Sequence, residues 1–118
     1  MNLAIVGSRT FNDYSLFCDS IESLRCKVNI TSFVSGGAKG ADRLAERYAD
    51  EFSFPITVHL PDWDGLGKGA GYARNITIVN ECDILIAFWD GQSKGTKHSI
   101  QLALKSGKLV LIINYTNL

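Results

Sequence analysis

The chain alternates short, largely apolar runs with segments whose apolar residues recur every three or four positions. Residues 3–6, 31–34, 56–60, 84–88 and 109–113 form the apolar runs, each four or five residues long. Runs of that length, rich in Val and Ile and without polar alternation, predict strands covered on both faces. Between the first two, Tyr14, Phe17, Ile21 and Leu24 recur at helical spacing behind Asn12 or Asp13, either of which suits a cap. Ala41, Leu44, Ala45, Tyr48, Ala49 and Phe52 make the clearest amphipathic stripe. A third helix is predicted over residues 70–80, with Ala73, Ile76 and Val79 on one side. A fourth covers residues 96–106, with Ile100, Ala103 and Leu104 inward and Gly107 as its stop.

This order of strand and helix, repeated without a composition break, implies right-handed crossovers and a parallel sheet. The expected architecture is a single α/β domain over residues 1–118, Rossmann-like and doubly wound, with five parallel strands in the order 3-2-1-4-5. At 118 residues the chain is one domain's worth and long enough for a core without metal or disulfide. Twelve basic and twelve acidic side chains cancel, removing the long-range field of a protein that coats nucleic acid or anionic membrane. Nucleic acid and membrane are therefore not expected partners. Cys18, Cys26 and Cys82 form no CxxC pair and leave an odd thiol, a usage suited to a reducing cytoplasm. No apolar run approaches the roughly 20 residues of a bilayer crossing. Residues 1–7 lack a basic lead and are expected to be a strand rather than a signal peptide.

The glycines change this picture most. Ten of eleven (Gly7, Gly36, Gly37, Gly40, Gly65, Gly67, Gly69, Gly71, Gly91 and Gly95) fall after a predicted strand and before or at a helix start. Seven of the twelve basic residues fall in or just after the same connections: Arg9, Lys39, Arg43, Lys68, Arg74, Lys94 and Lys97. In a parallel sheet these connections all emerge at the carboxyl ends of the strands, where ligands of open α/β sheets bind. Glycine there lets backbone approach a ligand, and helix N-termini favour anions. An anionic ligand, a phosphate or nucleotide, follows.

Four segments supply candidate contacts. In the first, Gly7-Ser8-Arg9-Thr10, Arg9 is suited to gripping a phosphate or carboxylate bidentately, or else to pairing with a nearby acid. The second, Ser35-Gly36-Gly37-Ala38-Lys39-Gly40-Ala41-Asp42, is neither a P-loop nor GxGxxG, yet puts successive glycines at a helix start. Asp42 is placed to cap backbone amides or to accept from a ribose hydroxyl. The third, residues 61–75, reads as a long glycine-rich loop leading into a helix, and loops of that kind are usually functional. Trp63 and Tyr72 are suited to stacking on a base, with the edge of the third strand as the alternative place for Trp63. Lys68, Arg74 and Asn75 complete this segment. In the fourth, residues 88–99, Ser93, Lys94, Gly95 and Thr96 make a second anion cradle facing the first, with Asp90 just before it. His98 reads as a surface or capping group. With His59 far from it and no Cys or carboxylate at ligand spacing, no metal site is expected.

Taken together, GSR, SGGAKGAD, PDW, GKGAGYARN and AFWDGQSKGT resemble the SLOG superfamily, most closely its small YspA-like branch, over residues 3–113. The resemblance implies a Rossmann-like fold and a nucleotide-related ligand. It also implies that the chain, like its relatives, forms a homo-oligomer. The superfamily includes the LOG phosphoribohydrolases, the DNA-binding core of DprA/Smf proteins, and domains sensing nucleotide signals derived from NAD. LOG enzymes carry an Arg before the fourth strand and GGxGTxxE after it, and Arg74 and Gly95-Thr96 match these. Ser99 stands where LOG has its catalytic Glu. A serine cannot act as base or stabilise an oxocarbenium-like centre as a carboxylate does. Catalysis by Arg74 would therefore need a substitute carboxylate, Asp90 or Asp64.

The expected function is binding of a nucleotide or nucleotide-derived phosphate (NAD- or ADP-ribose-like, or a nucleoside phosphate) as sensor, carrier or sequestering protein. The alternatives are LOG-like cleavage of an N-glycosidic bond and, further off, DprA-like nucleic-acid binding. No cofactor is required for the binding reading, and a bound nucleotide or phosphate is compatible with it.

Overall fold

The computed structural model describes residues 1–115, where the alternating pattern becomes five strands and five helices. Strand β1 (Asn2–Gly7) is central, flanked by β2 (Ser32–Ser35) and β3 (Ile56–Val58) on one side and by β4 (Ile84–Trp89) and β5 (Leu109–Asn114) on the other. All neighbours pair in parallel, in the order β3-β2-β1-β4-β5.

Side chains of a strand alternate between faces, so each buried strand feeds two cores. Leu3, Ile5, Phe33, Ile84, Ile86 and Phe88 meet helices α1 (Tyr14–Arg25) and α2 (Ala41–Glu51) through Phe17, Ile21, Leu24, Ala45 and Tyr48. Ala4, Val6, Val34, Leu85 and Ala87 meet α4 (Ala70–Glu81) and α5 (Lys94–Lys105) through Ile78, Val79, Ile100 and Ala103. The first core is aromatic, with Phe88 stacked on Phe11 at 4.7 Å and on Phe17 at 5.1 Å. The second is aliphatic, with no aromatic ring among its buried members. Asp13, one of two candidate caps, starts α1 by accepting from the Leu16 amide at 3.0 Å.

Several expectations are corrected. The segment over residues 61–75 is not a long loop but a short helix α3 (Trp63–Leu66), a 3₁₀ turn (Gly67–Gly69) and the start of α4. Asp62 caps α3 by accepting from the Gly65 amide at 2.9 Å, a signal obscured by the surrounding glycines. The third predicted helix exists as α4, but its inward face carries Arg74, Asn75, Ile78 and Val79, whereas Ile76 is 47% exposed. Similarly α5 buries Thr96, Ser99, Ile100 and Ala103 and leaves Leu104 60% exposed. In both helices polar side chains hold inward positions, which shifts an apolar-only reading of the stripe. β3 and β5 are edge strands with one neighbour each, and Thr57, Leu109 and Ile112 remain exposed, so neither is covered on both faces. Among the described residues no helix is long and apolar enough to cross a membrane.

These assignments predict opposite outcomes for two apolar truncations. Phe88→Ala empties the aromatic core and costs about 3–5 kcal/mol in urea unfolding. Leu104→Ala changes stability by no more than about 0.5 kcal/mol, and a cost equal to that of a core leucine would overturn the placement of α5.

Candidate functional site

In this strand order the chain leaves β1 toward one face of the sheet and β4 toward the other, so the ends of these neighbouring strands diverge. Gly7 pairs with Phe88 at the last shared register position. The buried Ser8 follows, donating its amide to the Phe88 carbonyl at 3.0 Å and accepting at Oγ from the Asp90 amide at 3.3 Å. Beyond them opens a cleft of about 430 Å³. Gly7, Ser8, Arg9, Asp42, Arg74, Asn75, Asp90, Ser93, Gly95 and Thr96 line it, with Val6, Thr10, Ala38, Ile78 and Ser99. A second hollow of about 420 Å³ shares Arg9, Ala38 and Arg74 with the first and adds Gly36, Gly37, Lys39, Leu60, Pro61 and Trp63.

Arg74 is held by dipoles rather than by an acid. Its Nη1 donates to the Gly36 carbonyl at 2.8 Å, and its Nε donates to Asn75 Oδ1 at 3.2 Å. The Asn75 amide nitrogen donates in turn to the Gly95 carbonyl at 3.3 Å and faces His98 Nδ1 at 3.1 Å. One network therefore ties α4 to the β2–α2 turn and to α5. Gly36 must be glycine for this contact, since a Cβ there would lie 2.5 Å from Arg74 Nη1. Gly40, at φ 81°, lets the start of α2 press against the Ser8–Arg9 backbone. Among the described residues no carboxylate oxygen lies within 4 Å of a guanidinium nitrogen of Arg9 or Arg74. Burial pulls Arg74 below its ordinary value, Asp42 opposes that, and the positive charge of Arg9 adds to it.

The two carboxylates of the cleft differ. Burial pushes Asp42 up to about 6, against the pull of the Ala38 amide, which donates to its Oδ2 at 3.0 Å, and of the Arg74 charge. Asp90 is exposed and held below its ordinary value by the Ser93 and Gln92 amides, both donating to Oδ1 at 2.9 Å. α1 and α3 have aspartate caps, whereas α2 and α5, whose first turns face the cleft, have no side-chain cap. Their leading amides and dipoles remain available to an anion.

The structure separates the remaining expected residues. Ser35 is fully buried beneath the turn, its Oγ accepting from the Gly37 amide at 3.5 Å, and lines neither hollow. Gly40 acts in packing. Lys94 faces a different depression with Lys97, His98 and Tyr72, whose ring meets His98 edge-on at 4.5 Å. Tyr72 is therefore not at the cleft, because it lies on the outer side of α4. Trp63 is 54% exposed and lines the second hollow instead of covering a strand edge. The Lys68 side chain lies outside the described residues. His59 pairs with Glu81, and among the described residues no cluster of three potential metal ligands occurs. Sequence reasoning missed Leu60, and treated Ser99 only as a substitution. An inward stripe running through polar residues, Thr96–Ser99–Ile100–Ala103, would have found Ser99.

Asp42 carries a stability signature. Its folded value lies above the ordinary one of about 4, so the folded chain holds the proton more tightly and stability falls as pH rises from about 4 to about 6. Relative to Asp42→Asn, the wild type gains about 1–3 kcal/mol between pH 7.5 and pH 4.5. Parallel stability–pH curves for the two proteins would show that Asp42 is not buried as described.

Comparison with known proteins gives the family of the chain. No solved structure matches the chain. The gene 61 protein of Mycobacterium phage D29 is 36% identical, over 94% of this chain and 93% of its own length. The family model of the YspA, cpYpsA-related SLOG family matches residues 1–65, which carry β1, the Gly7–Thr10 turn, the glycine turn before α2 and the Asp62 cap. With more than half of its length matched by that model, the chain belongs to the YspA, cpYpsA-related SLOG family.

Proposed function

We propose that the cleft binds a nucleotide or nucleotide-derived phosphate, with the phosphate between Arg9 and Arg74. The observation that carries this reading is the pair of guanidiniums on one shared wall with no carboxylate in reach of either among the described residues. Like charges brought together and partly desolvated favour an anion between them, and arginine forks match phosphate oxygens bidentately. The uncapped first turns of α2 and α5 act in the same direction. Membership of the SLOG family supports a nucleotide-related role. Such a protein works as a sensor, carrier or sequestering protein.

Hydrolysis of an N-glycosidic bond is the second reading, favoured by one feature. Two carboxylates, Asp42 and Asp90, line the cleft, and their environments push their proton affinities in opposite directions, as in acid–base pairs. Ser99, at the position of the LOG glutamate, supplies no charge.

Calorimetric titration with AMP and ADP-ribose tests the first reading. Arg9 is exposed, so Arg9→Ala leaves the fold intact and weakens binding by about ten- to a hundredfold, the loss of a charge-assisted bidentate contact. Unchanged affinity would reject the phosphate position. Chromatography of the same mixtures after prolonged incubation separates the two readings. Intact ligand is the result expected for a binder, while released base that disappears in Asp42→Asn would establish hydrolysis.

A further inference from the structure

We infer that His98 is a positioning residue of the cleft: the lone pair of its Nδ1 holds the amide of Asn75, and Asn75 fixes the direction of the Arg74 guanidinium. The imidazole stands in this network as the neutral tautomer with its proton on Nε2. The positioning goes beyond the proposed phosphate contact, and only its effect on binding rests on that reading.

The carrying observation is the polarity of the hydrogen bonds around Asn75, whose side chain is buried. Arg74 Nε can only donate, so the Asn75 atom it meets at 3.2 Å is the amide oxygen. The Gly95 carbonyl can only accept, so the atom it meets at 3.3 Å is the amide nitrogen. These two contacts fix the orientation of the amide without reference to His98. The same nitrogen lies 3.1 Å from His98 Nδ1, and it has only hydrogens to offer. Nδ1 must then accept, which leaves Nε2 as the protonated atom of the ring.

A doubly protonated ring cannot take this place. Its Nδ1–H would face the Asn75 amide hydrogens, donor against donor. Turning the amide over relieves that contact and creates two others, nitrogen against Arg74 Nε–H and oxygen against the Gly95 carbonyl. Around the ring stand Tyr72 and Asn75 of α4 and Lys94, Lys97 and Gln101 of α5, with Arg74 behind Asn75. No carboxylate lines this depression among the described residues, so no acid there favours the imidazolium. Burial acts in the same direction, holding His98 below its ordinary value. His98 lines neither hollow of the cleft, so it reaches Arg74 only through Asn75.

Proton–nitrogen correlation spectra of the ligand-free chain read the tautomer directly, at about pH 7.5, above the ordinary histidine value. The His98 signal, assigned by its loss in His98→Asn, is expected in the Nε2–H form, and the Nδ1–H form would overturn the proposal. Protection of Arg74 Nε–H against solvent exchange reads the positioning. It falls about tenfold in His98→Ala, the loss of one hydrogen bond, and stays near wild type in His98→Asn, whose Oδ1 accepts in place of Nδ1. When the pH is lowered to about 5, the wild type loses about tenfold more protection than His98→Asn, which has no imidazole to protonate. Both proteins retain Asp42, so titration of that carboxyl cancels in the comparison. Parallel curves for the two, or protection unaffected by His98→Ala, would overturn the role of His98. AMP binding weakens about three- to tenfold in His98→Ala and recovers in His98→Asn. Equal affinity in His98→Ala and wild type would overturn the role as well. Absence of AMP binding by the wild type would reject the phosphate position alone, because tautomer and protection are measured without ligand.

Discussion

The Arg74 guanidinium is half-buried and held by a backbone carbonyl and a side-chain amide, not by an acid. Taking a charge out of water is costly unless something of opposite sign or a set of aligned dipoles replaces the solvent. Here the Gly36 carbonyl and Asn75 replace part of it, and Asp42 contributes at longer range. The rest is unsatisfied positive potential aimed into a cleft, which a bound anion would neutralise. Each partner is in place for a local reason. Gly36 lacks the Cβ that would collide with the guanidinium, and Asn75 is fixed by the Gly95 carbonyl and His98. The constraint thus spans the β2–α2 turn, α4 and α5, and moving any of them moves the charge.

The unequal division of bulk between the two faces of the sheet makes room for this. Phe11, Phe17, Phe33, Tyr48 and Phe88 concentrate aromatic packing under α1 and α2. The opposite face has Ala4, Val6, Val34, Leu85 and Ala87, so α4 and α5 lie on aliphatic residues without buried rings. Buried apolar area drives folding in proportion to its extent, so the aromatic side carries most of the stabilisation. The α4–α5 side can then turn Arg74, Asn75, Thr96 and Ser99 inward. Among the described residues no buried side-chain nitrogen or oxygen lacks a hydrogen-bond partner, so these inward polar groups are satisfied.

Strand positions, strand order and the carboxyl-edge location of the site were legible because they depend on short-range patterns: largely apolar runs, glycines after strands, and the alternation that forces parallel crossovers. What was not legible depends on which way a helix is rotated. Reading α4 through Ala73, Ile76 and Val79 places Val79 on the inward face but wrongly turns Ile76 there, since Arg74 and Asn75 occupy stripe positions that hydrophobicity alone assigns to solvent. The same misreading put Leu104 inside and overlooked Ser99. Tyr72 and Lys94 were grouped with the cleft by their nearness in sequence to Arg74 and Gly95, but in a helix a step of one or two residues turns a side chain to another face. The Asp62 cap was hidden because its helix is one turn long and half glycine-flanked.

Ser99 sets the chemistry of the inward face of α5. A glutamate there would place a mobile negative charge on the inward face of α5, one turn beyond Gly95. Ser99 instead returns its hydroxyl to the Gly95 carbonyl at 3.3 Å, making the helix wall neutral. The negative charge of that wall comes from Asp90, which sits outside the helix and is locked by the Gln92 and Ser93 amides. A carboxylate held below its ordinary value by two backbone amides is a poor proton donor but a good acceptor. The only carboxyl in the cleft whose proton affinity is raised is Asp42, on the opposite side against Ala38. The cleft therefore holds one carboxyl whose proton affinity burial raises and one whose proton affinity backbone amides lower.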